Sequence, residues 1–195
     1  MMLSYLFSRH FSSIFNQNQN IVYNKSIMQW ELITNIILIT SIVILAVFFL
    51  LGIYQWIARK SFMKIDPQIR WLPLPFILLA VVWFIFDKIF ILNTRPNGSG
   101  EPSFPSTHVM VVVTIFFIVM IILPKYVKNK VFRIILNIIM MILISLVSVG
   151  RVYANMHYPV DVIGGIAFAF IFSEVYYLVV KRKKKHAKRI HQNHQ

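Results

Sequence analysis

The sequence predicts an all-α fold, a polytopic membrane bundle of about five transmembrane helices. Three observations carry this reading. Hydrophobic residues make up 58% of the 195 positions and charged ones only 13%, with a mean hydropathy of +0.70; soluble domains sit near 45–50% apolar and about 25% charged. Five apolar runs approach the roughly 20 residues needed to cross about 30 Å of hydrocarbon. Basic residues then crowd the ends of the first, third and fifth runs, an asymmetry typical of oriented membrane proteins. The chain has no cysteine, which excludes a disulfide scaffold, a Cys-ligated metal site and a thiol nucleophile.

The elements follow in chain order. In residues 1–30, Leu3, Leu6, Phe7, Phe11, Ile14 and Phe15 recur at helical spacing, with Ser8, Arg9, Ser12, Ser13 and Asn16 between them. That pattern suits an amphipathic helix lying in the membrane interface, with a sixth, imperfect span as the rival reading. A cleaved signal peptide fits less well, because neither an unbroken apolar core nor a small-residue cleavage site is clear. The membrane-embedded region, residues 31–180, holds spans at about Ile33–Tyr54, Trp71–Leu92, His108–Leu123, Arg133–Val149 and Val160–Val180. Trp56, Trp71, Tyr158 and Tyr176 are expected at the interfaces. Residues 181–195 form a basic tail.

Orientation comes from the positive residues. Fifteen of the 20 Lys and Arg fall in the loops after spans one and three and in the tail. Those segments are expected in the cytoplasm, which puts the loops near 93–107 and 150–159 on the outer side of a multi-pass cell-membrane protein. The net charge of +14 therefore reads as attraction to anionic membrane lipid, not to nucleic acid.

The few outward cations are then the informative ones. Lys88, Arg95 and Arg151 sit at span ends, beside His108, His157 and Asp161. Lys88 and Arg95 are seven residues apart, which would set them on one face of span two, with Pro96 ending that span. Ser106 is placed to cap span three, whose free N–H groups would face an anion. Pro159 suits the first turn of the last span, and Asp161 lies close enough to hydrogen-bond the His157 imidazole. Gly98-Ser99-Gly100 reads as a flexible turn, and Gly164-Gly165 as a site of close helix packing. Taken singly, a Lys or Arg at a span end is an anchor, a membrane-edge His is a satisfied polar group, and Asp161 is a helix cap. Six such groups on one face read together as a site.

The spacing also has a family likeness. Lys88, six residues, Arg95-Pro96; Pro105-Ser106-Thr107-His108; and Gly150-Arg151, five residues, His157, three residues, Asp161 resemble the three-part signature of the type 2 phosphatidic acid phosphatase superfamily. The likeness covers roughly residues 30–180. Thr107 stands where the family usually has Gly, Gly150 where it usually has Ser, and the link from Pro96 to Pro105 is short for the family.

The resemblance implies phosphoryl transfer through a phosphohistidine. It makes His157 the nucleophile, with Asp161 holding its other ring nitrogen. His108 is the proton donor to the leaving oxygen. Lys88, Arg95, Ser106 and Arg151 bind the phosphoryl oxygens. No metal or other cofactor is expected, because the cations would do the work that Mg²⁺ does elsewhere. The implied partner is a lipid-linked phosphate or diphosphate at the outer membrane–water boundary. Small size and an outward site resemble the family's undecaprenyl-diphosphatases of the bacitracin-resistance type, ahead of phosphatidylglycerophosphate or phosphatidate phosphatases. A reading of another class stays open here, a protein that binds or moves an anionic lipid without cleaving it.

Overall fold

The computed structural model describes backbone for residues 2–192 and side chains for residues 24–182. Helix α1 runs Met2–Arg59, followed by a 3-10 turn at Phe62–Lys64 and the one-turn helix α2, Pro67–Arg70. Helix α3, Pro73–Phe84, continues into a π-helical turn at Ile85–Ile89. Helices α4, Thr107–Tyr126, α5, Lys130–Tyr153, and α6, Pro159–Gln192, complete the chain. Pro67, Pro73 and Pro159 each open a helix, where the missing N–H costs nothing and φ is already set.

Five segments are long and apolar enough to cross a membrane: Asn24–Arg59, Pro67–Ile89, Thr107–Tyr126, Lys130–Tyr153 and Pro159–Arg182. These are the five spans expected from the sequence. The protein is an all-α polytopic bundle. The amphipathic reading of residues 1–30 and the basic tail fall largely outside the described side chains.

The central helix is α4. It is apolar all round, and Val109, Met110, Val112, Val113, Ile115, Phe116, Ile118 and Ile122 are each at most 1% exposed. A helix without a polar face belongs inside a bundle. Around it pack Ile37 of α1, Met140, Ile144 and Val147 of α5, and Val162 and Ala169 of α6. The α5 residues recur at three and four, a single inward stripe, while Ile134, Ile138 and Ile142 are exposed, as a lipid-facing surface permits.

Gly165 sets the closest approach. A Cβ there would lie 2.9 Å from the main-chain oxygen of Ser106 and 3.4 Å from the amide nitrogen of Met110. Only a glycine lets the α6 backbone rest on the first turn of α4. Gly164 likewise faces the ring of Phe104. The paired glycines therefore do serve close packing.

The opposite end of the bundle is tied by Asp66, which accepts from Gln55 at 2.9 Å and Arg59 at 3.2 Å and pairs with Lys125. Burial pushes this carboxyl up, but Lys125, Arg59 and Gln55 outweigh it and hold the group below its usual range. Tyr176, expected at the interface, meets this end of the bundle from the inside. Its ring is fully buried in the bundle, and its hydroxyl donates to the main-chain oxygen of Gln68 at 2.6 Å. Helical phase decides this: Tyr176 follows Val162, Gly165, Ala169 and Phe172 on the inward stripe of α6.

Candidate active site

The site forms where α4 begins, α5 ends and α6 begins. Between Arg151 and His157 the chain leaves α5 in a tight turn. Met156 and His157 both direct their amide N–H to the main-chain oxygen of Arg151, at 3.2 and 3.3 Å. Asn155 carries the turn with φ +55°, a left-handed conformation that Asn tolerates better than most residues. The five-residue spacer is thus a helix-terminating turn, and it folds the imidazole back beside the guanidinium. Both side chains are almost fully buried, Arg151 at 2% and His157 at 4% exposure.

The partner of the His157 ring differs from the expectation. Its Nδ1 lies 2.9 Å from the main-chain oxygen of Ser103, whereas Oδ2 of Asp161 is 3.8 Å away, too far for a hydrogen bond. Asp161 instead accepts from the hydroxyl of Ser103 and, at 2.8 Å, from the amide of Tyr158. The carboxylate caps α6 and secures Ser103. Because a carbonyl can only accept, Nδ1 carries the proton and Nε2 keeps its lone pair. Burial, then the charges of Arg151 and Arg95, push the His157 imidazole down to about 4, against a smaller opposing effect of the Ser103 bond. At neutral pH the ring is uncharged.

Arg95 arrives on a hairpin and not on a helix. The end of span two is a π-helical turn closing at Ile89, and the chain from Phe90 is extended. Arg95 donates its amide to the main-chain oxygen of Glu101 at 2.9 Å, and Ser103 to that of Asn93 at 2.8 Å. Gly98 and Gly100, at φ +77° and +75°, turn the tip. Lys88 and Arg95 therefore do not share a helical face. Pro96 does not end the span: the helix already closes at Ile89, and Pro96 restricts only Arg95, within the hairpin. The Lys88 ammonium is 2.8 Å from Asp87 and largely exposed, and the structure does not bring it to His157. Arg95 pairs with Glu101 at 2.7 Å.

Ser106 stands at the N-cap position of α4, fully buried, but its hydroxyl makes no capping bond. Its amide donates to the main-chain oxygen of Asp161 at 3.0 Å, joining α4 to α6. Among the described residues, Ser106 Oγ, Arg95 Nε and Arg151 Nε are buried without a protein hydrogen-bond partner. Unsatisfied buried donors are rare enough to need a reason, and donors of this kind suit the oxygens of an anion.

Helix α1 adds residues that sequence reasoning missed. Nε2 of His108 is 3.1 Å from Oδ1 of Asn35, and Nη1 of Arg151 is 3.5 Å from Oγ1 of Thr34. Their signal was faint: a Thr-Asn pair near the start of an otherwise apolar run, where polar groups turn inward. Ser103 was visible in the segment Ser103–His108, with nothing to show that its carbonyl and hydroxyl both matter. Gly150 also gains a reason. A Cβ there would fall 2.6 Å from Cγ2 of Thr34 and 3.1 Å from the Trp30 ring, so α1 lies where a serine side chain would start.

The sequence profile of the PAP2 superfamily matches residues 83–185. The chain belongs to this superfamily. Its fold is similar to that of a crystal structure described as the first transmembrane PAP2 type phosphatidylglycerolphosphate phosphatase from Bacillus subtilis. The TM-score is 0.55 and the identity 19%, over 87% of this chain and 86% of that one. No curated protein sequence matches the chain. This PAP2 protein is a membrane-spanning phosphoric ester hydrolase. The matched PAP2 segment contains every residue of the predicted site from Lys88 to Asp161 but none of α1 before Arg59.

Proposed function

We propose that this protein hydrolyses a lipid-linked phosphate or diphosphate at the outer membrane–water interface through a phosphohistidine, with undecaprenyl diphosphate as substrate and undecaprenyl phosphate and phosphate as products. The observation that supports it best is the His157 ring. Nδ1 is held by the Ser103 carbonyl, and the ring lies within the field of Arg95 and Arg151.

Nε2 of His157 attacks the terminal phosphorus, forming a P–N bond as the bond to the leaving oxygen breaks. The bonding pair leaves with that oxygen, which takes a proton from His108. Arg95, Arg151 and Ser106, with the first N–H groups of α4, hold the phosphoryl oxygens while charge develops on them. Lys88, at the rim beside Asp87, acts at longer range on the incoming anion. Attack makes the His157 ring cationic, and Asp161 is the carboxylate that stabilises it. Water then attacks phosphorus, gives a proton to His108 and releases phosphate from Nε2.

A purified-enzyme panel tests both levels of this reading. Polyprenyl diphosphate, phosphatidylglycerophosphate and phosphatidate are compared by kcat/KM, with His157→Ala as the control. Acid-labile, base-stable phosphate on His157 is the expected trapped intermediate. Turnover by a correctly inserted His157→Ala protein would overturn the covalent route. Preference for phosphatidylglycerophosphate, the substrate named for the Bacillus subtilis structure, would overturn the substrate assignment alone.

A further inference from the structure

Three α1 side chains bear on the site: Thr34 on Arg151, Asn35 on His108, and Glu31 through its charge on Arg151. The Asn35 contact is the one with a chemical consequence. Nε2 of His108 is engaged by the amide oxygen at 3.1 Å, so it is the nitrogen that carries a proton. His108 is the second residue of α4, where its ring could otherwise turn about two side-chain bonds. The other groups facing the ring are Arg151, His157 and Arg95; the two guanidiniums cannot accept a proton, and among the described residues Asn35 is the ring's hydrogen-bond partner.

We propose that Asn35 of α1 is a positioning residue for His108, fixing Nε2 through its amide oxygen so that Nδ1 is the nitrogen that exchanges a proton with the leaving oxygen and then with water. The inference rests on the role assigned to His108 above. The substrate phosphate, entering as its monoanion, gives its proton to Nδ1, and the ring passes that proton to the departing oxygen as the phosphorus–oxygen bond breaks, returning to neutral with Nε2–H still bound to Asn35. When water attacks the phosphohistidine, its proton goes to Nδ1. A neutral amide suits both steps. A carboxylate in its place would hold the imidazolium too firmly to release the proton, and an apolar side chain would leave the ring free to turn. Helix α1, outside the segment that carries the family signature, is then part of the catalytic apparatus.

The test compares leaving groups in single-turnover phosphorylation. A short-chain phosphatidate expels an alkoxide that needs a proton, whereas p-nitrophenyl phosphate expels a weakly basic phenolate that needs far less. General-acid help amounts to about 10²–10⁴-fold, and mispositioning forfeits part of it. Asn35→Leu is therefore expected to slow the alkyl phosphate roughly 10- to 100-fold, and at least about tenfold more than the aryl phosphate. In a His108→Ala background the same change should add no further loss, since residues acting as a unit are not additive. Equal losses on both substrates, or an additional loss in the His108→Ala background, would overturn the inference. If His108→Ala itself slows both substrates equally, the role of His108 fails first. If His108→Ala discriminates and Asn35→Leu does not, only the inference about Asn35 fails.

Discussion

Nδ1 of His157 is held by the main-chain oxygen of Ser103 at 2.9 Å. A backbone acceptor cannot be removed by changing a side chain, so the tautomer of the nucleophile is built into the path of the hairpin that precedes α4. Asp161 stands one residue behind this contact, bonded to the Ser103 hydroxyl and 3.8 Å from the ring. Its contribution is its charge and its grip on Ser103, not a direct bond to the imidazole.

That division predicts an order of severity. Ser103→Ala keeps the carbonyl and loses the hydroxyl, with its bond to the Asp161 carboxylate and its 3.4 Å contact with Nδ1 of His157; a hydrogen bond to a charged group is about 1.5–3 kcal/mol when fully lost. The substitution should lower the rate of phosphorylation about tenfold. Asp161→Asn removes the charge facing a ring that becomes cationic on attack, about 4 kcal/mol at 4 Å with an effective dielectric of 20. Its loss should be on the order of 10²–10³-fold. Rapid-quench measurement of phosphoenzyme formation gives both values, and a Ser103→Ala loss equal to that of Asp161→Asn would contradict the assignment.

The imidazole of His157 should titrate near 4 and not near its ordinary 6.5. Arg95→Gln should move the midpoint back toward 6.5, because it removes one of the repelling charges. Histidine ring signals followed by NMR in detergent micelles, assigned with His157→Asn, measure this directly. The same shift has a stability consequence. Between about 6.5 and 4 the unfolded chain binds a proton that the native ring refuses. This group's contribution is therefore full above 6.5 and declines as pH falls toward 4. An unshifted midpoint would remove both expectations.

Gly150→Ser tests the close approach of α1. The new Cβ meets Cγ2 of Thr34 at 2.6 Å, and such overpacking costs about 1–3 kcal/mol. Thermal stability should fall, and activity with it, because Thr34 and Asn35 are displaced together. Thr34→Ser removes that methyl while keeping a hydroxyl for Arg151, so the double variant should recover most of both losses. Failure of Thr34→Ser to rescue would show that Trp30, at 3.1 Å, is the controlling contact.

The basic residues predict which face of the bundle is outside. A cysteine at Ser99, on the exposed hairpin tip, should react with a membrane-impermeant reagent in intact cells. A cysteine at Lys128, in the exposed link between α4 and α5, should react only after permeabilisation. The native chain has no cysteine to obscure the result. The reverse pattern would move the site to the cytoplasmic face and end the outer-interface reading.

The five spans were legible in the sequence because their signal is local: about 20 apolar residues are needed to cross the hydrocarbon wherever the rest of the chain lies. The candidate residues His108, Arg151, His157 and Asp161 were legible for a related reason, since ionisable groups at the membrane edge stand out against apolar runs. Helical spacing could not foresee the end of span two, where main-chain pairing from Asn93 to Ser103 replaced helix and separated Lys88 from Arg95. Nor could spacing reveal that Nδ1 of His157 would choose a backbone oxygen 54 residues away over a carboxylate four residues on. Asn35 and Thr34 gain their meaning only from the packing of α1 against α4 and α5, across 73 and 117 residues of chain. Local composition determines which segments enter the membrane, because each span answers to the bilayer alone. Hydrogen-bond partners are chosen among groups that only the assembled bundle brings within about 3 Å of one another.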